Sequence, residues 1–251
     1  MVIGFDKFQS RFEGFSDNYI VIGGSACDWL MQNESIDFRA TKDIDLIIVA
    51  ENMSVEFAKE LWAFIRDGGY DAYERADGKK CFYRFLRPKN DGFPFMLEFF
   101  SRSPLSFNVA EGSIITPIPI DEDGISSLSG ILLDDVYYSF IKKNRRIVDG
   151  VSILSPESLI VLKAKAWMDL SSRKEHGEFV KEKDLRKHRT DILRLQAIIP
   201  ERTVIQLPQA IKENFNEFLL KYEQLPIDTM TLGIPNSFNE AISFLKRIFK
   251  V

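Results

Sequence analysis

Aspartate is a poor strand former, yet Asp43 and Asp45 stand one residue apart at the head of the apolar run DIDLIIVA. Side chains alternate along a strand, so the two carboxylates leave the same face. Burying them unpaired is costly. A divalent cation removes that cost, since Mg²⁺ takes one or two carboxylates and completes its shell with phosphate oxygens and water. Upstream, the apolar run NYIVI ends in Gly23-Gly24-Ser25. A glycine pair there marks a turn or a close backbone approach, and Ser25 is placed to cap a following helix, SACDWLMQNE. The free N–H groups of a helix's first turn favour phosphate. Taken singly, the glycines read as an ordinary strand-to-helix turn and the aspartates as an exposed strand face. In the order strand, Gly-Gly-Ser, helix, Asp-x-Asp strand, they read as a phosphate cradle beside a metal pair. GGSACD has neither the phosphate-loop spacing GxxxxGK nor the dinucleotide spacing GxGxxG.

The rest of the composition narrows the setting. A chain of 251 residues with 45% hydrophobic and 28% charged residues has the make-up of a globular protein with a sizeable core. The net charge of −4 excludes a global polycation, so any basic surface is local. Two cysteines, Cys27 and Cys81, and two histidines leave zinc short of ligands. The first fifteen residues carry acids and no continuous apolar core, which argues against a signal peptide, and no run reaches the roughly 18 apolar residues of a membrane span. The expected setting is cytoplasmic, with reduced thiols and no membrane partner.

Periodicity lays out the elements. Phe5, Phe8, Phe12 and Phe15 predict a short amphipathic opening helix. SVEFAKELWAFIRDGGY predicts a helix capped by Ser54 and ended by Gly68-Gly69. KCFYRFLR and FPFMLEFF flank the turn-rich PKNDG, a hairpin pattern, and SIITPIPI reads as a last, edge strand. From about Leu128 the pattern turns helical: Ser155-Pro156 as N-cap and first helical position of a long helix, then EKDLRKHRTDILRLQAII, then two C-terminal helices. The expected fold class is α+β, with a mixed sheet flanked by helices in residues 1–127 and an all-α helical domain in 128–251.

GGSA followed by Arg39-Ala-Thr41-Lys42-Asp43-Ile44-Asp45 resembles the active-site signature of the nucleotidyltransferase superfamily that includes DNA polymerase beta. The run is most similar to the AbiEii-type abortive-infection toxins, in which a GG(S/T)A turn precedes an R-x-T-x-D-I-D strand. LKAKAWMDLSSR and KHRTDILRL match that family's lysine and aspartate helices in order and rough spacing. The resemblance covers most of residues 19–195. It implies a Mg²⁺- or Mn²⁺-dependent transfer of NMP from an NTP to a hydroxyl acceptor, with an RNA or tRNA end as one acceptor and an antitoxin protein as a partner. It also implies nucleotide contacts from Gly23, Gly24, Ser25 and Arg39.

A third carboxylate is usual in that superfamily. Glu98, the one acid inside FPFMLEFF, is the candidate to join Asp43 and Asp45 at the metal, because an unpartnered buried glutamate is expensive. Lys163 and Lys165 interrupt an apolar helix. Either can meet a triphosphate as a point charge, or run along the helix edge with its head in water; by the family's spacing to Arg173, Lys165 matches better. Asp191 corresponds to the helix aspartate, anchoring a lysine or touching the nucleotide, and His188 reads as a surface imidazole. Residues 163–194 hold ten Lys/Arg against six Asp/Glu, and Lys142–Arg146 adds a second basic cluster. These read equally as an electrostatic patch for a polyanion and as a solvated helix surface. A competing reading of the whole chain is a catalytically degenerate module of the same fold that binds a nucleotide or a partner.

Overall fold

The structure, a computed structural model, describes residues 2–74, 80–101 and 134–251. The expected strand SIITPIPI and the expected boundary at 127/128 lie outside the described residues. The chain divides into two compact units, one of Met1–Ile125 with Arg145–Leu154, the other of Ser126–Asn144 with Ser155–Val251.

The first unit is α+β. Its seven strands among the described residues are β1 (Tyr19–Ile22), β2 (Asp43–Ile48), β3 (Asp71–Glu74), β4 (Lys80–Leu86), β5 (Met96–Phe100), β6 (Arg145–Val148) and β7 (Val151–Leu154). They form one mixed sheet in the order β3-β4-β5-β2-β1-β7-β6. The β2–β5 and β1–β7 pairs are parallel and the other four antiparallel. β1 is buried along its whole length, as expected of a central strand that is apolar on both faces.

Among the described residues, three helices accompany the sheet: α1 (Phe5–Phe12), α2 (Gly23–Asn33) and α3 (Val55–Gly68). The phenylalanine spacing in α1 turns Phe5, Phe8 and Phe12 inward. Phe12 meets Tyr19 at 6.3 Å and Phe64 of α3 at 5.6 Å between ring centroids. Burial pushes the Tyr19 hydroxyl up to about 12, so it stays a neutral phenol in this cluster. Ser54 caps α3 by accepting from the Phe57 N–H, and Gly69 ends it in the left-handed conformation at φ 61°.

The β6–β7 hairpin lies in the half of the chain whose periodicity reads as helical. Its signal is local: Asp149-Gly150 between Ile147-Val148 and the apolar run after it. Both residues have positive φ, 50° and 79°, as a two-residue turn matched to strand twist requires. Through Val21↔Ile153 the hairpin adds to the sheet beside β1. A Gly150→Ala change would hold an L-residue at φ 79°, with its methyl 3.0 Å from Glu13 Cγ. We expect a loss of about 1–2 kcal/mol in urea denaturation, with Gly14→Ala, whose methyl meets nothing within 4 Å, close to neutral.

The second unit is helical: α4 (Asp135–Lys143), α5 (Pro156–Glu175), α6 (Glu182–Leu195), α7 (Gln209–Glu223) and α8 (Phe238–Phe249). Ser155 caps α5, with Pro156 in the first turn, as the sequence predicts. α5 is buried on all sides through its first half, from Pro156 to Ala164, a central helix packed against α6 and α7. Trp167, Phe218 and Tyr222 join Phe215, Phe249 and Phe238 in one aromatic core, with centroids 4.5–6.2 Å apart.

Candidate active site

β1 delivers the chain to Gly23, where φ is +69°. This left-handed turn sends the backbone straight from strand into α2, which begins at Gly23, three residues before the start that a Ser25 cap implies. Ser25 therefore does not cap the helix. It lies inside the first turn, 1% exposed, and its hydroxyl donates back to the Ile22 carbonyl at 3.1 Å. No side chain caps α2.

Register brings β2 against this turn. Ile22 pairs with Asp45, so Gly23 sits beside the Asp45 carboxylate. A Cβ added to Gly23 would lie 1.9 Å from Asp45 Oδ2. No side chain fits there, which ties the glycine of one motif to the aspartate of the other. A Cβ on Gly24 would meet Thr41 Oγ1 at 2.8 Å and an Arg39 guanidinium nitrogen at 3.3 Å. The Arg39–Thr41 segment thus packs on the start of α2 and brings a cation to it. Asp43 and Asp45 are both half-buried, alternating with fully buried Ile44.

On the other side of β2, Asp45 pairs with Glu98 of parallel β5. Glu98 in turn pairs with Arg84 of antiparallel β4. Arg84 donates to Glu98 Oε1 through Nε, and its terminal nitrogen forms an ion pair with the same oxygen. By sequence, Glu98 is expected with the metal pair. The structure places it beside Asp45, with its carboxylate engaged by a guanidinium. Among the described residues no group of three or more His, Cys, Asp or Glu is arranged to hold a metal ion. What fits a divalent cation is the pair Asp43 and Asp45, an all-oxygen donor set of the size Mg²⁺ takes from protein. Arg84 escaped the sequence reading, although its signal matches that of Glu98: a lone charge inside an apolar strand.

The remaining candidates belong to the helical unit. Lys163 is 4% exposed, and its Nζ lies 2.8 Å from Oδ2 of Asp191, which is fully buried. Asp191 thus anchors a lysine, and that lysine is Lys163. Lys165 pairs along its own helix with Asp169 at 3.1 Å, about 30% exposed. His188 is half-buried rather than superficial. Part of the basic run is paired from within. Lys174 pairs with Glu182, and Arg189 donates to the Leu225 carbonyl while stacking 5.3 Å over Tyr222, its pKa lowered by burial. Lys183 and Arg186 line a cleft of about 980 Å³ together with Trp167, Leu185 and Leu225. The cluster at Lys142–Arg146 is divided, with Arg145 of the first unit paired to Asp17. No helix among the described residues is long and apolar enough to cross a membrane.

Gly23→Ala tests the junction of the two motifs. The methyl must displace the Asp45 carboxylate, so we expect loss of the site's ligand binding comparable to that of Asp45→Ala, at a stability cost of about 1–2 kcal/mol. Metal titration beside urea denaturation separates the two effects.

No protein-family model matches the chain, and no curated protein matches it. Among solved structures, the chain is similar to an antigenic nucleotidyltransferase-like protein from Paracoccidioides brasiliensis, at 14% identity over 100% of both chains with a TM-score of 0.43. It is also similar to the antibiotic-resistance factor ANT(2'')-Ia, at 16% identity over 88% of this chain and 92% of that one, with a TM-score of 0.36.

Proposed function

We propose that the chain is a nucleotidyltransferase that moves NMP from an NTP to a hydroxyl acceptor and releases pyrophosphate. The observation that carries this reading is the fit between Gly23 and Asp45: the glycine's missing Cβ is the space the carboxylate fills. Asp43 and Asp45 would hold a divalent cation, Mg²⁺ or Mn²⁺. Bound there, it supplies charge neutralisation for the triphosphate and for the departing pyrophosphate. The backbone N–H groups opening α2, uncapped by any side chain, would receive phosphate oxygens, with the Arg39 cation beside them. The buried Ser25 hydroxyl, turned to Ile22, would serve the turn rather than the ligand. In the transfer, the acceptor oxygen bonds to the α-phosphorus, the α–β bridging bond breaks toward pyrophosphate, and the hydroxyl proton passes to solvent.

RNA is the first acceptor to try, on the resemblance to RNA-acting toxins, and a cognate antitoxin is proposed on the same ground. The engagement of Glu98 by Arg84 favours a second reading, a degenerate module that binds nucleotide without turnover. One experiment separates them. Purified protein is incubated with each labelled NTP, Mg²⁺ and total RNA, beside an Asp43→Ala, Asp45→Ala double variant. Label entering RNA with the wild type alone supports transfer. Metal-dependent NTP binding without pyrophosphate release supports the binding module. Neither binding nor transfer sinks both.

A further inference from the structure

Three charges cross three neighbouring strands in register: Asp45 on β2, Glu98 on β5, Arg84 on β4. Directly paired residues project to the same face, so Glu98 stands between a carboxylate and a guanidinium. Its side chain is 16% exposed and that of Arg84 38%, so the ion pair is shielded on the glutamate side and open to water on the arginine side. A guanidinium at one carboxylate oxygen cancels its charge and occupies one of its lone-pair directions.

We propose that Arg84 is a latch on Glu98 that sets the metal affinity of the site. While Arg84 is engaged, the carboxylates among the described residues that would meet the cation are Asp43 and Asp45. When Arg84 lets go, Glu98 becomes a third donor beside Asp45, and a positive charge is withdrawn from the cation's neighbourhood. This makes Arg84 a positioning residue that acts through Glu98. The inference rests on the reading that Asp43 and Asp45 hold a divalent cation.

The test is Mn²⁺ binding alone, followed by the paramagnetic signal of the free ion, with no nucleotide and no acceptor. Arg84→Met is expected to tighten Mn²⁺ binding about tenfold, in the range by which outer-shell partners tune metal sites. Arg84→Gln, which keeps a donor to Glu98 but no charge, should fall between wild type and Arg84→Met, and thermal melts establish that each variant folds. Adding Glu98→Gln to Arg84→Met should erase the gain. An unchanged affinity in both folded Arg84 variants overturns the latch. A gain that survives Glu98→Gln also overturns it, because that gain is then through-space repulsion without recruitment. The underlying reading fails separately, if the Asp43→Ala, Asp45→Ala protein binds Mn²⁺ as tightly as wild type.

Discussion

Asp45→Ala is expected to lower nucleotidyl transfer by about 10³-fold or more, with Asp43→Ala close behind, while both proteins keep the wild-type fold. The magnitude follows from the charge these residues would manage. Neutralisation at a transferring phosphoryl group supplies several kcal/mol to the transition state, and each 1.36 kcal/mol is a factor of ten in rate. The fold is spared because both carboxylates are only half-buried and leave one face of β2, while Ile44, Leu46, Ile47 and Ile48 hold the strand in the core. Stability should therefore change by less than about 1 kcal/mol, the range of substitutions outside a packed core. Pyrophosphate release beside a thermal melt checks both halves. Activity retained in both single variants would dismiss the proposed transfer mechanism, and a lost melt would make the aspartates structural.

In the helical unit the largest effect is on stability. Lys163 and Asp191, 4% and 0% exposed, form an ion pair at the packed contact of α5 and α6. Deleting one partner leaves a charge where water cannot reach it, at a cost of about 3–5 kcal/mol. We expect Asp191→Ala and Lys163→Met each to lose that much in urea denaturation. The double change Lys163→Met, Asp191→Leu should lose markedly less than the sum, because neither half of this pair is then left buried without the other. Additive losses would show that the two side chains act separately. Lys165→Met, at a partly exposed i,i+4 pair with Asp169, should cost less than about 1 kcal/mol. That contrast distinguishes two lysines that look alike in LKAKAW.

The strand–turn–helix–strand core was legible because each of its signals is local. Gly23 can take φ +69°, alternation puts Asp43 and Asp45 on one face, and Ser155-Pro156 opens α5 as such pairs do. Even here one detail was decided by geometry beyond propensity. The turn at Gly23 starts the helix early and leaves Ser25 bonded to Ile22 instead of capping. The β6–β7 hairpin was half legible. Asp149-Gly150 announces a turn, but nothing local states that the strand after it, β7, lies beside β1, about 130 residues earlier.

By itself, then, the sequence determined the α+β class, the two-carboxylate motif with its glycine turn, and the mainly helical character expected from about residue 128 on, which β6 and β7 interrupt. Backbone conformation, strand alternation and helix capping act over a few covalent bonds and are written in neighbouring residues. Only the tertiary structure decided that Asp45 fills the space of the missing Gly23 side chain, that Glu98 faces Arg84, and that Asp191 takes Lys163 rather than Lys165. Each of those outcomes depends on strand register or on helix packing between residues 14 to 28 positions apart. A charge buried by such packing must find whichever partner the ladder or the helix contact sets opposite it, and that partner is chosen by the fold.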